Sequence, residues 1–297
     1  MAIRPAFSYP PLYNRRRLRD SMELSGKQGI LTIAAAAALL SIGPAPLSGQ
    51  WLHYPTARVP KTAGGQPNLE APGPRAVDGH PDLSGLWRAE KNRPCPPEGC
   101  VDMEIGQEFL DFGWSLPGGL PFQPWAAALR KARMADNGKD DQTTHCLPQG
   151  VPRLHASPFL RKYVQTPGLL AILNELSTQY RQIFTDGRPM PVDPQPAWTG
   201  YSIGHWEGDT LVVHTAGLRD GQWLDRDGSP ITDAAKVTER FHRLNYGRMD
   251  IEVTVDDSKA YTRPWTVTLH QFIVLNTDFV EDNCLENEKD FSHLIGK

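Results

Sequence analysis

The stretch from Trp198 to Leu218, WTGYSIGHWEGDTLVVHTAGL, sets two runs of strand-forming residues around Glu207-Gly208-Asp209, a polar turn with glycine at its centre. A hairpin of this kind is not stable alone; it needs partner strands on both sides. The chain supplies them. Strand-like runs cover Tyr163 to Gln165, Leu169 to Glu175, Gln179 to Thr185, Lys236 to Leu244, Met249 to Val255, Pro264 to Leu275 and Thr277 to Asn283. In MDIEVTV, Met249 to Val255, apolar and polar residues alternate without a break, which places one face inward and the other in water. Pro81 to Trp87 adds a first strand. With 27 prolines and 26 glycines the connections are turns rather than long helices. About nine or ten antiparallel strands in succession predict a sandwich or a closed meander barrel, because closure removes exposed edges.

What precedes the strands reads differently. Arg15-Arg16-Arg17-Leu18-Arg19 and Lys27 stand before the apolar run Ile30 to Ile42, and small residues follow up to Gln50. The run is short for a bilayer, which takes about 20 apolar residues, so residues 1–49 read as a cleaved signal peptide rather than an anchor. Met22 to Gln50 alone has the length and order of such a signal. Residues 50–80, rich in Pro, Gly and Ala, read as an extended linker or strap. Residues 81–297 then form a single β-rich domain. One helix is expected before the main strand run, over PWAAALRKARMA from Pro124 to Ala135, with proline in its first turn and Asn137-Gly138 at its end. Trp125, Leu129 and Ala132 make its apolar stripe.

Export agrees with the cysteines. Four are present, and they suit disulfides in an oxidising compartment, the periplasm or the extracellular space. Cys95 and Cys100 lie in one tight loop, PCPPEGC, so the favoured pairing is Cys95–Cys100 with Cys146–Cys284, although three pairings are formally possible. The paired C-x₂-C knuckles of a zinc site are absent. The chain carries a formal net charge of −3; residues 1–49 hold six bases and two acids, so the remainder is −7. Such an acidic protein has no electrostatic footprint for nucleic acid or anionic lipid, and no stable membrane anchor is expected after signal cleavage.

The densest group of reactive side chains is the hairpin itself. Gly200-Tyr201-Ser202-Ile203-Gly204 matches G-x-S-x-G, yet a nucleophile elbow needs a helix directly after the serine, and here a strand continues. His205, His214, His242 and His270 fall on four different strands. If Glu207 to Thr210 form the turn, Trp206 faces Leu211, and His205 shares a face with Val212 and His214. The catalytic candidates are therefore His205 and His214 with a carboxylate, Glu207 or Asp225. No H-x-H or H-E-x-x-H spacing is present, so no metal and no cofactor is assigned. Asp225-Arg226-Asp227-Gly228 looks like the start of a calcium loop, but Lys236 stands where the bidentate glutamate is needed. Tyr201, Trp206, Trp223, Arg240 and Tyr261 are the candidates for ligand contact, the aromatics as flat apolar surfaces and Arg240 for an anionic group or an internal pair.

Ser84-Gly85-Leu86-Trp87 resembles the G-x-W motif that opens lipocalin and other calycin barrels, whose tryptophan plugs the closed end. Asn276-Thr277-Asp278-Phe279 is similar to their T-D-[YF] motif, although it lies near the C-terminus and no arginine follows it. Residues 81–297 also resemble a family of exported proteins of environmental bacteria, through DLSGLW, CLPQGVPR, RQIFTDGR, GHWEGDTLVV, KVTERF, DDSKAYTRPWTV and ENEKDFSHLIGK. That resemblance brings no chemistry with it. The expectation is a mainly β protein: an antiparallel, calycin/lipocalin-like barrel with one accessory helix and a long N-terminal extension. It would bind a small apolar, aromatic or sugar-like molecule at its mouth. The alternatives are a barrel hydrolase or isomerase using a His/carboxylate pair, or a structural, partner-binding envelope protein. The sequence does not choose between enzyme and binder, and it does not indicate an oligomeric state.

Overall fold

Alternation along the strands does what it predicts: it closes a barrel around one apolar interior. In the computed structural model, residues 54–94, 105–278 and 282–284 are described. The expected signal peptide and the Cys95–Cys100 pair lie outside them. The strands are β1 (Gly85–Ala89), β2 (Arg161–Thr166), β3 (Leu169–Asn174), β4 (Tyr180–Phe184), β5 (Tyr201–Glu207), β6 (Thr210–Ala216), β7 (Gln222–Trp223), β8 (Pro230–Ile231), β9 (Lys236–Arg243), β10 (Arg248–Asp256) and β11 (Trp265–Ile273). Nine of them close in the order β1-β11-β10-β9-β6-β5-β4-β3-β2, while β7 and β8 form a separate ribbon. That ribbon falls in the stretch the sequence reads as loop. Thr277 and Asp278 are irregular rather than strand.

One pairing departs from the antiparallel expectation. β4 and β5 run parallel, joined only through Ile183↔Ser202 and Phe184↔Ile203. The proline-rich segment between them is long enough to carry the chain back before β5 begins, which a short hairpin turn does not do. Elsewhere the hairpin register is the predicted one, with Trp206 opposite Leu211 and Glu207 opposite Thr210. Gly208 has φ +60°, the positive value that the first central position of a type II′ turn requires.

The inward positions of β9, β10 and β11 pack as one apolar core with Tyr163, Leu170, Ile172, Ile183, Leu211 and Val213. Trp87 is fully buried, and its Nε1 donates to Leu83 O at 3.1 Å. Arg243 from β9 lies 5.0 Å over its ring. Residues 54–80 lie across the barrel as a strap. Tyr246 and Gly247 donate backbone N–H groups to Ala71 O and Leu69 O, Arg75 pairs with Asp209 at 2.7 Å, and His80 stacks on Trp206 with ring centroids 4.7 Å apart.

Among the described residues three α-helices accompany the barrel: the single turns α1 (Gln107–Leu110) and α3 (Arg153–Ala156), and α2 (Pro124–Ala135), whose bounds are those expected. The face that α2 buries is not the expected one. Trp125 is 47% exposed and donates its Nε1 to Lys259 O, whereas Ala126, Leu129, Arg130 and Arg133 turn inward. The helix is held by charge as well as by apolar contact. Arg130 pairs with Asp111 (3.0 Å) and Asp227 (2.6 Å), and Arg133 lies 4.6 Å over the Trp223 ring.

The segment after α2 becomes a plug. Arg153, Leu154, His155 and Ala156 of α3 are all buried, and His155 reaches inside the barrel. Cys146, just before this plug, is bonded to Cys284. The disulfide is compatible with an oxidising environment. Among the described residues no helix is long and apolar enough to cross a membrane.

Candidate ligand-binding site

Strand parity carries charge into the barrel. Glu239 shares a face of β9 with Val237 and Phe241, and Arg181 shares a face of β4 with Ile183, so both must be buried and paired. They meet as a two-pronged pair: Arg181 Nη1 donates to Glu239 Oε1 at 3.0 Å, and Nη2 donates to Oε2. Arg181 Nη2 also donates to Thr215 Oγ1 (2.8 Å) and Ser202 Oγ (3.1 Å). His155 places Nε2 3.0 Å from Glu239 Oε1 and Nδ1 3.0 Å from Tyr163 Oη. With Glu239 ionised, Nε2 carries the hydrogen and Nδ1 accepts from the tyrosine hydroxyl. Beside them Arg161 donates to Ser157 O, Phe159 O and Gln271 Oε1, and Gln271 holds His155 O.

Burial acts oppositely on these groups. It disfavours the charged imidazole and lowers His155 to about 4, overriding the attraction of Glu239. It would raise Glu239 too, but the charge of Arg181 and the hydrogen bond from His155 more than offset it and hold the carboxyl at about 2. Desolvation lowers Arg161 to about 10 and pushes the Tyr163 phenol up. The barrel interior therefore holds a neutral imidazole hydrogen-bonded between an ionised carboxylate and a tyrosine hydroxyl.

The network meets a surface cleft at Ser202. Ser202, bonded to Arg181 and to Thr215 Oγ1 (2.9 Å), forms the floor of a cleft of about 480 Å³ where β4 and β5 diverge. Aromatic walls come from Tyr180, Phe184, Trp198 and Tyr201, and polar groups from Ser177, Thr178, Gln179, Gln182 and Thr199. None of its lining residues is charged. Cations flank the rings: Arg188 lies 3.9 Å over Phe184 and donates to Tyr201 Oη at 3.5 Å, and Arg219 lies 5.4 Å over Trp198. Gly200 has φ +61°, and a Cβ there would sit 2.6 Å from Ala216 O, so only glycine allows β5 to start this close to β6.

Of the ligand-contact candidates, Tyr201 alone lines this cleft. Trp206 lies under the strap, against His80. Trp223 and Tyr261 are buried packing residues; the Tyr261 hydroxyl donates to Pro230 O at 2.8 Å. Arg240 pairs with Glu207 at 2.9 Å on the outer face. His205 and His214 do share a face, with ring centroids 5.8 Å apart, but that face is the solvent side, where His242 and His270 also point. His205 bonds to Glu207 at 3.2 Å, and hydrogen bonds from Arg240 and then His205 hold Glu207 below the usual glutamate range. Asp225 belongs to a different region. It is fully buried, accepts the N–H groups of Ser229 (2.9 Å) and Phe112 (3.2 Å), and is pushed by burial to about 6. The structure does not bring the four catalytic candidates together. Ser202 is mid-strand with no helix after it, so the elbow geometry is absent. Among the described residues no group of three or more His, Cys, Asp or Glu is arranged to hold a metal.

The histidine that matters inside the barrel, His155, was missed because it sits on no strand. Glu239 and Arg181 were findable from the alternation in KVTERF and YRQIF. Trp198 and Gln179 were not, because they line a cleft made by the parallel crossover.

The opposed shifts of His155 and Asp225 make a pH prediction. His155 titrates near 6.5 when unfolded and near 4 in the barrel, so the unfolded chain holds the extra proton between those values. Its contribution is full above pH 6.5 and is lost towards pH 4, a loss of ~3 kcal/mol. Asp225, raised from 3.8 to about 6, has the reverse sign: its contribution is full below pH 3.8 and lost as pH rises to 6, again ~3 kcal/mol. The two nearly cancel in the native protein. In Asp225→Asn the urea midpoint is expected to fall steadily from pH 6.5 to 4, and in His155→Gln to rise from pH 6 to 4. Flat profiles in both variants would contradict these assignments.

A scan against protein-family models matches none, and no curated protein matches the sequence significantly.

Proposed function

We propose that this chain is an exported binding protein that holds one uncharged, ring-bearing small molecule in the cleft between β4 and β5. One observation carries the reading: four aromatic side chains and several hydroxyl and amide groups converge there with no charged residue among them. Such a mixture, mostly flat apolar surface with a few directional polar groups, is what small-molecule sites present. The central cavity of a lipocalin-type carrier is an unsuitable seat here, since Trp87, Tyr163, Phe241, His155 and the Arg181–Glu239 pair fill the interior. The cleft instead opens at the weakest strand pair, where the ligand meets side chains of both walls.

The test uses N-phenyl-1-naphthylamine, an uncharged fluorescent ring compound. It is expected to bind saturably at one site, and Trp198→Ala is expected to weaken it by about tenfold or more. Trp114→Ala, at an exposed tryptophan outside the cleft, leaves it unchanged. Equal affinity in Trp198→Ala would move the site elsewhere.

A further inference from the structure

The cleft contains a polar group for which the protein supplies no partner. Gln179 lines it, is only 8% exposed, and accepts the Gln149 N–H through Oε1 at 3.3 Å. That bond fixes the amide orientation and leaves Nε2, a buried donor, with no hydrogen-bond partner. The donor is already out of contact with water in the free protein, so an apolar ligand leaves it unpaired, whereas a ligand hydroxyl that reaches it supplies the missing bond. An anionic ligand would find no cation among the lining residues. We infer that the cleft takes a neutral polyhydroxylated ring, a monosaccharide or short neutral oligosaccharide; this rests on the cleft being the binding site.

The geometry agrees with the chemistry of such a ring. A pyranose has C–H groups on its faces and hydroxyls around its rim. Tyr180, 66% exposed, and Trp198 offer flat surfaces to the faces. Gln179, Gln182 and Thr199 offer amide and hydroxyl groups to the rim. A hydroxyl oxygen accepting from Gln179 Nε2 would pair the orphaned donor. Sugar acids and sugar phosphates would have to bury charge opposite neutral groups, so the cleft discriminates against them.

The experiment is a calorimetric titration of the purified protein with D-glucose, D-galactose, N-acetyl-D-glucosamine, maltose and cellobiose, with D-glucuronate as the charged comparison. Each sugar is also tested for displacement of N-phenyl-1-naphthylamine. Saturable binding of at least one neutral sugar, with D-glucuronate at least tenfold weaker, is expected. Gln179→Glu keeps the acceptor for Gln149 N–H and removes the donor, so it should weaken that sugar at least tenfold and by clearly more than it weakens the dye. If Gln179→Glu does not fold, Gln182→Ala on the exposed face of β4 takes its place, with a smaller loss. Dye binding that depends on Trp198 together with no sugar binding overturns the sugar inference and leaves the cleft as the site. Sugar binding indifferent to Gln179, Gln182 and Trp198 overturns it as well. No saturable binding of either probe defeats both readings.

Discussion

Glu239→Leu is expected to destabilise the protein by about 3–5 kcal/mol, the cost of leaving a buried guanidinium without its counter-charge. Arg181 has nowhere to go: its side chain is 1% exposed and Glu239 is fully buried. Its remaining partners, the Ser202 and Thr215 hydroxyls and the neutral His155 imidazole at 3.2 Å, solvate the guanidinium without neutralising it. The substitution also removes the acceptor for His155 Nε2, loosening the plug. The double variant Arg181→Met/Glu239→Leu separates the two meanings of such a loss. Replacing both charges by apolar side chains of similar size should recover most of the stability, because desolvation consumes much of what a buried pair gains. Chemical denaturation at pH 7 measures both. A single variant within 1 kcal/mol of the native protein would show that water reaches Arg181.

Breaking the Cys146–Cys284 bond is expected to cost about 4–5 kcal/mol in the chain-entropy description, since it closes a long loop across a sequence separation of 138. The cost should appear in Cys146→Ser/Cys284→Ser and in the reduced native protein alike. It has a local consequence too. Cys146 precedes Pro148, which lines the cleft, and Gln149, which holds the Gln179 amide. Dye affinity should therefore fall on reduction even below the unfolding transition. A denaturation midpoint that does not move on reduction would remove the disulfide from the stability of the plug.

Much of the fold was legible because period-2 alternation is a one-dimensional signal. It located the nine barrel strands, though not the β7–β8 ribbon, together with the turn at Gly208 and the Trp206–Leu211 register, and α2 followed from its proline and its Asn137-Gly138 stop. The inward face of α2 was less legible. Its pattern of Trp125, Leu129 and Ala132 competes with arginines whose partners, Asp111, Asp227 and Gly228 O, come from elsewhere in the chain. The candidate site was legible only in fragments. Tyr201 stands in the most reactive stretch, but its companions Tyr180, Gln179 and Trp198 come from β4 and a connecting loop. The outward His205 and His214 drew attention because functional side chains are common there, while the plug histidine carried no periodic mark at all.

The sequence by itself determined a β-rich chain with a hairpin turn at Gly208, and it carries the alternation that places Glu239 and Arg181 on the same strand faces as apolar neighbours. These follow from rules local to a few residues: side-chain direction, turn geometry and the cost of burying charge unpaired. Only the tertiary structure decided which charges meet, that α3 fills the barrel through His155, and that β5 returns parallel to β4. Those depend on contacts between residues far apart in the chain, and the cleft exists because a parallel crossover paired two strands through only two residues each and let their ends diverge.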